Sequence, residues 1–133
     1  QYILNSHEGI FSTRQLRLMI DLVEEESKDP KTIGAIDLFD FDPLNRRAGI
    51  GILITRDERG KGYASKALDM VIRYAFKKLG LHQIYSNVMK GHEASLELFK
   101  KHNFEIAGLK KEWLKIENSY VDEYLLQLIN PEK

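Results

Sequence analysis

The first half of the chain alternates apolar and polar residues in a way that predicts strands. Every second residue between Leu16 and Leu22 is apolar, the pattern of a strand with one buried face, and this predicts a strand over about 14–25. The stretch TIGAIDLFDF (32–41) follows the turn residues SKDP and predicts the hairpin partner. AGIGILIT (48–55) is apolar on both faces and predicts a strand in the middle of the sheet.

The second half of the chain begins with a helical period. From Ala64 to Leu79 apolar residues recur every three or four positions, which predicts an amphipathic helix, and Gly80 can end it as a C-cap. The remaining predicted elements are a strand, a short helix and two long strands, over 82–89, 93–102, 104–116 and 119–129. The order β-β-β-α-β-α-β-β predicts a mixed α/β (α+β) sheet protein, organised as one domain over 1–133.

Composition and charge narrow the kind of ligand. The 133 residues are 43% hydrophobic and 30% charged, the balance of an ordinary globular domain. Lys and Arg together number 20, as do Asp and Glu, so no net positive field exists to hold nucleic acid or an anionic membrane. We therefore expect a small molecule or a peptide as ligand, with neither nucleic acid nor a membrane as partner.

Several kinds of site are not expected from this composition. The chain contains no cysteine, which excludes a thiol nucleophile and a disulfide framework and favours a cytoplasmic location. No apolar stretch approaches the roughly 20 residues that a membrane helix needs. The histidines lack the spacing of a metal site, so no metal is expected; they are His7, His82, His92 and His102.

A glycine-rich turn, R-G-K-G-Y-A (59–64), lies between the predicted central strand and the predicted helix. The N–H groups at a helix start lack partners within the helix and attract anions. Gly60 and Gly62 would let the backbone approach a phosphate closely. Arg59 and Lys61 add positive charge at the rim. The alternative is a tight strand-to-helix turn whose charges serve solubility.

Two phosphate-binding motifs fail to match this turn. A P-loop needs a hydroxyl residue after Gly-Lys, and here Gly62 follows Lys61. A dinucleotide-binding fingerprint needs a third glycine where this chain has Ser65. The pattern that does match is [RQ]-x-x-G-x-[GA], through Arg59, Gly62 and Ala64. Because the P-loop and the dinucleotide fingerprint both fail to match, a nucleotide-binding protein that uses this turn is disfavoured.

Together with this turn, four further stretches resemble the GNAT family (Gcn5-related N-acetyltransferases), and within it the branch of spermidine acetyltransferases and ribosomal-protein alanine acetyltransferases. They are IGAIDLFDFDPLNRRAGIGILI, ASKALDMVIRYAFKKLG, EASLELFKKHNFEIAG and KIENSYVDEYLLQL. The resemblance runs from about residue 14 to 129 and implies the GNAT acyl-CoA N-acyltransferase fold. Because residues 1–8 correspond to a helix that precedes this region in relatives, we expect an N-terminally incomplete domain that lacks the family's first strand and helix.

The resemblance implies acetyl-CoA as co-substrate, lying where the sheet splays open beside the central strand. The backbone of residues 52–54 would pair with the pantetheine arm, and the turn from Arg59 to Ser65 would hold the pyrophosphate. The last helix would flank the thiol end. The cofactor-binding residues implied in this way are Ile52, Leu53, Ile54, Arg59, Gly60, Lys61, Gly62, Tyr63, Ala64, Ser65, His92, Ser95 and Phe99.

Acetyl transfer in this family is a direct attack of a neutral amine on the thioester, which needs an oxyanion donor and an acid for the leaving thiolate. The backbone N–H of Leu53 is the candidate oxyanion donor. Phe99 stands where relatives carry the acid, a tyrosine, and has no proton to give; its alternative role is packing on a helix face. Glu112, Tyr85 and Tyr120 are polar candidates near the sheet opening, and ordinary strand surface is the alternative for each.

The acceptor is expected to be a primary amine. Gly49 stands where polyamine-acetylating relatives carry a glutamate near the acceptor, which weakens a polyamine assignment. A protein α-amino group has a pKa of about 7.7–8.0, against about 10.4 for a lysine-like amine, so it needs less help from a base.

The predicted function is therefore that of an acyltransferase. It would acetylate a peptide or protein N-terminus, a polyamine or another small amine within a ternary complex. The alternative is a CoA-binding domain with weak or lost catalysis that acts as a sensor or scaffold. The closing strand could also pair with a second chain, so a homodimer is a further expectation.

Overall fold

The computed structural model describes residues 2–6 (backbone only), 14–22, 29, 31–54 and 62–132. Within them, seven strands form one mixed sheet. The strands are β1 (Tyr2–Ser6), β2 (Leu16–Leu22), β3 (Lys31–Asp42), β4 (Arg47–Ile54), β5 (Gln83–Met89), β6 (Glu105–Ile116) and β7 (Ser119–Ile129). The helices are α1 (Tyr63–Arg73), extended by a π-helical turn (Tyr74–Lys78), and α2 (Glu93–Lys101). Across the sheet the strand order is β1-β2-β3-β4-β5-β7-β6.

The strands follow the alternation seen in the sequence. In β2, Leu16, Leu18 and Ile20 are buried, and the antiparallel register with β3 sets Leu18 opposite Ile36. β3 pairs antiparallel with β4, with Ile36 opposite Ile52. β4 is the fourth of the seven strands, so the prediction of a central strand is confirmed. The predicted end of the β2 segment, beyond residue 22, lies outside the described residues.

The apolar stripe of α1 packs against the sheet. Ala67, Leu68 and Val71 are buried in the same hydrophobic core as Ile50 of β4 and Ile84 of β5. Burying a leucine, isoleucine or valine side chain contributes about 1.5–3 kcal/mol relative to leaving it exposed. This packing fixes where α1 begins relative to the end of β4.

The helix predicted over 64–79 does not remain an α-helix to its end. The π-helical turn Tyr74–Lys78 closes it, with the N–H of Leu79 donating to the carbonyl five residues earlier at 3.1 Å. Gly80 follows with a positive φ of 64°, as a C-cap requires. Arg46, from the turn before β4, donates to the carbonyls of Leu79 and Gly80 at 3.3 and 2.9 Å. The guanidinium thus satisfies carbonyls that a helix end leaves unpaired.

The sheet opens between β4 and β5. These two strands are parallel and pair through three positions alone, from Arg47 opposite Gln83 to Gly49 opposite Tyr85. β4 continues to Ile54 without β5 beside it. The splayed sheet expected from the resemblance is therefore present, and it opens on the side toward which β4 runs.

The helix expected over residues 1–8 is wrong. Residues Tyr2–Ser6 form β1, which pairs antiparallel with β2 from Tyr2 opposite Leu22 to Ser6 opposite Leu18. Strand pairing at the free side of β2 supplies partners for backbone groups that this strand would otherwise present at a sheet edge.

Candidate active site

The divergence of β4 and β5 opens into a cavity of about 350 Å³. Three elements line it: the end of β4, the start of α1 and the first turns of α2. The lining residues are Ile52, Leu53, Ile54, Gly62, Tyr63, Ala64, Ser65, His92, Ala94, Ser95 and Leu98. The structure thus brings together nine of the thirteen residues that the resemblance assigned to the cofactor. Of the other four, Arg59, Gly60 and Lys61 lie outside the described residues, and Phe99 lies elsewhere.

The β4 wall of the cavity is apolar, and β5 does not pair with it there. Leu53 is 66% exposed, which is unusual for a leucine in a central strand, whereas Ile54 is buried. The ladder to β5 ends at Gly49, so the rest of β4 pairs with β3 on one side and with no described strand on the other. A ligand that carries amide groups in an extended chain can pair along such an edge as an added strand.

The start of α1 forms the second wall. Gly62 is the N-cap residue, with a φ of 82°, and a Cβ at this position would meet nothing within 4 Å. The first turn contains no acidic side chain, and Gly62 provides no side-chain cap. Among the described residues, the positive end of the helix dipole therefore faces the cavity with no carboxylate in the first turn to offset it, which favours an anionic ligand.

Ser65, in the first turn of α1, is bonded to the end of α2. Its Oγ lies 2.8 Å from Nε2 of His102, and the tautomer of the imidazole decides which of the two donates. Burial lowers the pKa of His102; the nearby carboxylate of Asp69 opposes this effect, and the ammonium of Lys101 adds to it. The imidazole is therefore neutral near pH 7. The sequence does not indicate this contact, because nothing in the spacing of residues 65 and 102 relates them.

The first turns of α2 form the third wall. His92 is the N-cap residue, exposed and without a side-chain capping bond, and Ser95 lies one turn further on. Ala94 and Leu98 also line the cavity, although the sequence had not indicated them. Their spacing from Ser95, one before it and three after it, places all three on one helix face, so helical periodicity could have identified them.

Phe99 does not line the cavity, which corrects its assignment to the cofactor. Its side chain is 3% exposed and belongs to the hydrophobic core. The ring packs edge-on against Phe104, with 5.0 Å between centroids and 70° between planes. The residue faces inward because α2 presents Leu96 and Phe99 to the core, three positions apart.

The ring of Phe39 fills the space beside Gly49, the position at which the resemblance implied a glutamate in polyamine-acetylating relatives. A Cβ on Gly49 would come under 3.0 Å from three ring atoms of Phe39, the neighbour of Gly49 in the β3–β4 ladder. Phe39 also packs edge-on against Tyr85, with centroids 6.2 Å apart. Burial, and secondarily the charge of Asp40, raise the pKa of Tyr85, while Arg47 opposes them. Tyr85 therefore stays protonated at the point where the sheet divides.

The other polar candidates lie away from the cavity. Glu112 is in β6, where a bulge gives it a φ of 49° and its N–H donates to Asp122 Oδ1 at 2.8 Å. Tyr120 is exposed at the start of β7. Neither residue is among those that line the cavity. Of the three polar candidates, Tyr85 alone lies at the sheet opening, opposite Gly49.

Two further features concern the part of the chain that the structure describes. Among these residues, no group of three or more His, Cys, Asp or Glu side chains could hold a metal ion. None of the described helices is both long and apolar enough to cross a membrane.

Comparison with known proteins identifies relatives. The family model for the acetyltransferase (GNAT) domain matches residues 5–105. Probable N-acetyltransferase YjcK of Bacillus subtilis (strain 168) is 30% identical over 107 residues, which cover 80% of this chain and 59% of that protein. Spermidine N(1)-acetyltransferase of Escherichia coli (strain K12) is 30% identical over 80 residues, 60% of this chain and 43% of that protein. The chain thus spans about half the length of these curated relatives.

Solved structures show the same fold. Spermidine N-acetyltransferase from Vibrio cholerae, in complex with CoA and spermine, superposes with a TM-score of 0.82 at 23% identity. The match covers 90% of this chain and 68% of that one. The mixed α/β fold expected from the resemblance is confirmed.

Proposed function

The chain belongs to the GNAT family of acetyltransferases, and we propose from that premise that it transfers an acetyl group from acetyl-CoA to a primary amine in a ternary complex. The observation that carries the proposal is the cavity at the divergence of β4 and β5, which the start of α1 closes. The solved relative that contains CoA and spermine supports the choice of co-substrate.

The residues of the cavity fit the chemistry of acetyl-CoA. The apolar wall at Ile52, Leu53 and Leu98 suits the pantetheine chain, whose amides would pair with the open edge of β4. The start of α1, with Gly62 at its N-cap and no carboxylate in its first turn, suits the pyrophosphate. Arg59 and Lys61 precede this turn in the sequence and would add positive charge.

The chain supplies orientation and electrostatics, while the thioester of the co-substrate supplies the activated acetyl group. The amine nitrogen forms a bond to the acetyl carbon, the bond from that carbon to sulfur breaks, and a proton passes from nitrogen to the thiolate. The backbone N–H of Leu53 is our candidate donor to the developing oxyanion. Since Phe99 lies in the core and has no acidic proton, we assign protonation of the thiolate to water.

For the acceptor we favour a peptide or protein N-terminus. Phe39 occupies the space beside Gly49, so the described part of this opening has no acidic side chain at that position to attract a polycation. An α-amino group, with a pKa of about 7.7–8.0, is partly neutral at pH 7 and requires little assistance from a base. A polyamine is the second candidate, because spermidine N(1)-acetyltransferase is among the relatives.

Release of the CoA thiol tests the proposal. The full-length protein is assayed with acetyl-CoA and Ala- or Ser-starting peptides, spermidine or an amino sugar, while CoA binding is measured by calorimetry. We expect thiol release with the peptides and less with spermidine. Binding of CoA without release by any amine would favour the alternative of a sensor or scaffold domain, for which the absence of an acid at Phe99 is the argument. Undetectable CoA binding would overturn both.

The closing strand, which was expected to pair with a second chain, is β7, and it lies between β5 and β6 with a partner on each side. For assembly we therefore propose a homodimer formed through β6. This strand lies at the end of the sheet and pairs with β7 alone among the described strands. Two large aromatic side chains are exposed near this strand. Trp113 of β6 is 61% exposed and Tyr120 of β7 is 58% exposed. An unpaired edge flanked by apolar side chains favours pairing with another strand. Sedimentation equilibrium should give a dimer that the double variant Trp113→Glu/Tyr120→Glu dissociates. A monomeric wild-type protein would contradict the proposal.

A further inference from the structure

Ser65 has a hydroxyl in the cavity and a histidine behind it. Ser65 lines the cavity beside Gly62, and its Oγ lies 2.8 Å from Nε2 of His102, which follows the last residue of α2. His102 is absent from the cavity lining and instead lines a separate groove of about 400 Å³ between α1 and the end of β7. The imidazole therefore contacts the cavity lining through the serine hydroxyl.

The direction of this hydrogen bond decides what Ser65 can offer to a ligand. A serine hydroxyl has one proton, so a Ser65 that donates to His102 presents lone pairs to the cavity and repels an anion. When Nε2 carries the proton and donates to Oγ, the hydroxyl proton is available to a phosphate oxygen. A protonated imidazole imposes this second arrangement and adds a positive charge.

We propose that His102 is a positioning residue, which turns the Ser65 hydroxyl toward the pyrophosphate of CoA and makes binding of that anion depend on its own protonation. The inference rests on the proposed function, because it takes the ligand of the first turn of α1 to be a pyrophosphate. In this proposal, the hydrogen bond between Ser65 Oγ and His102 Nε2 controls anion binding in addition to joining the two helices.

His102 is partly buried and lies among side chains of both charges. The groove that it lines also contains, from the neighbouring elements, Asp69 and Arg73 of α1, Lys77 of the π-helical turn, Lys101 of α2 and Glu132 of the C-terminal segment. Asp69 bonds to Arg73 at 2.9 Å, which reduces the charge it offers to the imidazole. Burial lowers the pKa of His102, so the free protein holds it neutral near pH 7.

An anion bound at Ser65 favours the imidazolium and raises the pKa of His102. By linkage, affinity for the anion must then rise as the pH falls through the range between the bound and free pKa values. A difference of one pKa unit between the two states corresponds to about a tenfold change in affinity. We expect an increase of about three- to tenfold on lowering the pH from about 8 to about 5.5.

The best probe is dephospho-CoA, measured by isothermal titration calorimetry. It lacks the phosphate monoester of CoA, whose second pKa near 6 would itself change the charge of the ligand in this range. The wild-type protein should bind it more tightly at the lower pH. His102→Gln retains an N–H donor but cannot be protonated, so it should bind about as well as wild type near pH 8 and lose the increase at low pH.

Three other variants separate positioning from packing. His102→Ala removes the donor and should weaken binding at both pH values, with His102→Gln restoring most of the affinity near pH 8. Ser65→Ala should abolish the pH response. His82→Gln changes a histidine that lines neither the cavity nor the groove and should leave the response intact. A pH profile shared by wild type and His102→Gln, or retained in Ser65→Ala, would overturn the inference.

Inorganic pyrophosphate distinguishes this inference from the proposed function. If dephospho-CoA does not bind but pyrophosphate binds with a response that depends on His102, the role of CoA is wrong and the role of His102 stands. If neither binds to the folded wild-type protein at either pH, both proposals are overturned.

Discussion

The ring of Phe39 covers Gly49 so closely that residue 49 has no room for a side chain. A Cβ there would lie under 3.0 Å from the ring atoms Cε2, Cζ and Cδ2. Gly51, two residues along the same strand, is different, because a Cβ there would lie 3.8 Å from the nearest Phe39 atom. Phe39 thus gives this side of the sheet opening an aromatic surface, and the two glycines form a matched pair for testing this contact.

Gly49→Ala should destabilise the protein by about 1–3 kcal/mol, the usual cost of forcing extra atoms into a packed site. Gly51→Ala should change the free energy of unfolding by less than about 0.5 kcal/mol, since an alanine there makes an ordinary contact. Urea denaturation measures both values. Equal effects of the two variants would show that Phe39 moves aside, and Phe39→Ala in the Gly49→Ala background should recover part of the loss.

Gly62→Leu should abolish CoA binding. The N-cap has a φ of 82°, so any side chain strains the backbone by about 1–2 kcal/mol, and a leucine would also fill the space beside the helix start. Gly91→Leu is the control, because Gly91 also has a positive φ, 99°, and open space around it, but does not line the cavity. Both variants should lose similar stability in thermal melts. If Gly62→Leu binds CoA as well as Gly91→Leu does, the pyrophosphate does not bind at this helix start.

Phe99→Tyr should not restore an acid. Since the ring is buried and packs against Phe104, a hydroxyl added to it must be accommodated in the core, at a cost of about 1–3 kcal/mol if it finds no partner. We expect a lower urea midpoint and no gain in thiol release. An increase in turnover of about 10² would instead show that the hydroxyl reaches the reacting atoms and that its absence limits the native protein.

The sequence predicted the elements that periodicity controls. The apolar recurrence from Ala64 gave the buried face of α1, and the two apolar faces of AGIGILIT gave a central strand, because burial acts directly on the spacing of side chains. The glycine pattern predicted a tight turn between the central strand and the helix, and the structure places Gly62 there with a positive φ of 82°. Each of these features depends on residues that are close together in the sequence, so a sequence pattern can predict it.

Sequence patterns did not predict contacts between residues that are far apart in the chain. The π-helical turn lies within an unbroken apolar stripe that looks the same for an α-helix, and its end is held by Arg46 from another part of the chain. The contact between Ser65 and His102 joins two helices 37 positions apart in sequence. The inward orientation of Phe99 depends on how α2 rotates against the core. Each of these depends on tertiary packing rather than on the residues beside it.

The stability of the protein should fall as the pH drops through the range in which His102 titrates. Burial lowers the pKa of this residue below its ordinary value of about 6.5, so the unfolded chain binds a proton more readily than the folded one. The free energy of unfolding therefore decreases as the pH falls from about 7 through 6.5, by at most about 1.4 kcal/mol per pH unit, until the folded protein is protonated as well. Urea denaturation between about pH 7.5 and 5.5 avoids most carboxylate titration. His102→Gln should flatten this part of the profile. If His102→Gln retains the wild-type slope, another group is responsible and the imidazole is not held neutral by its burial.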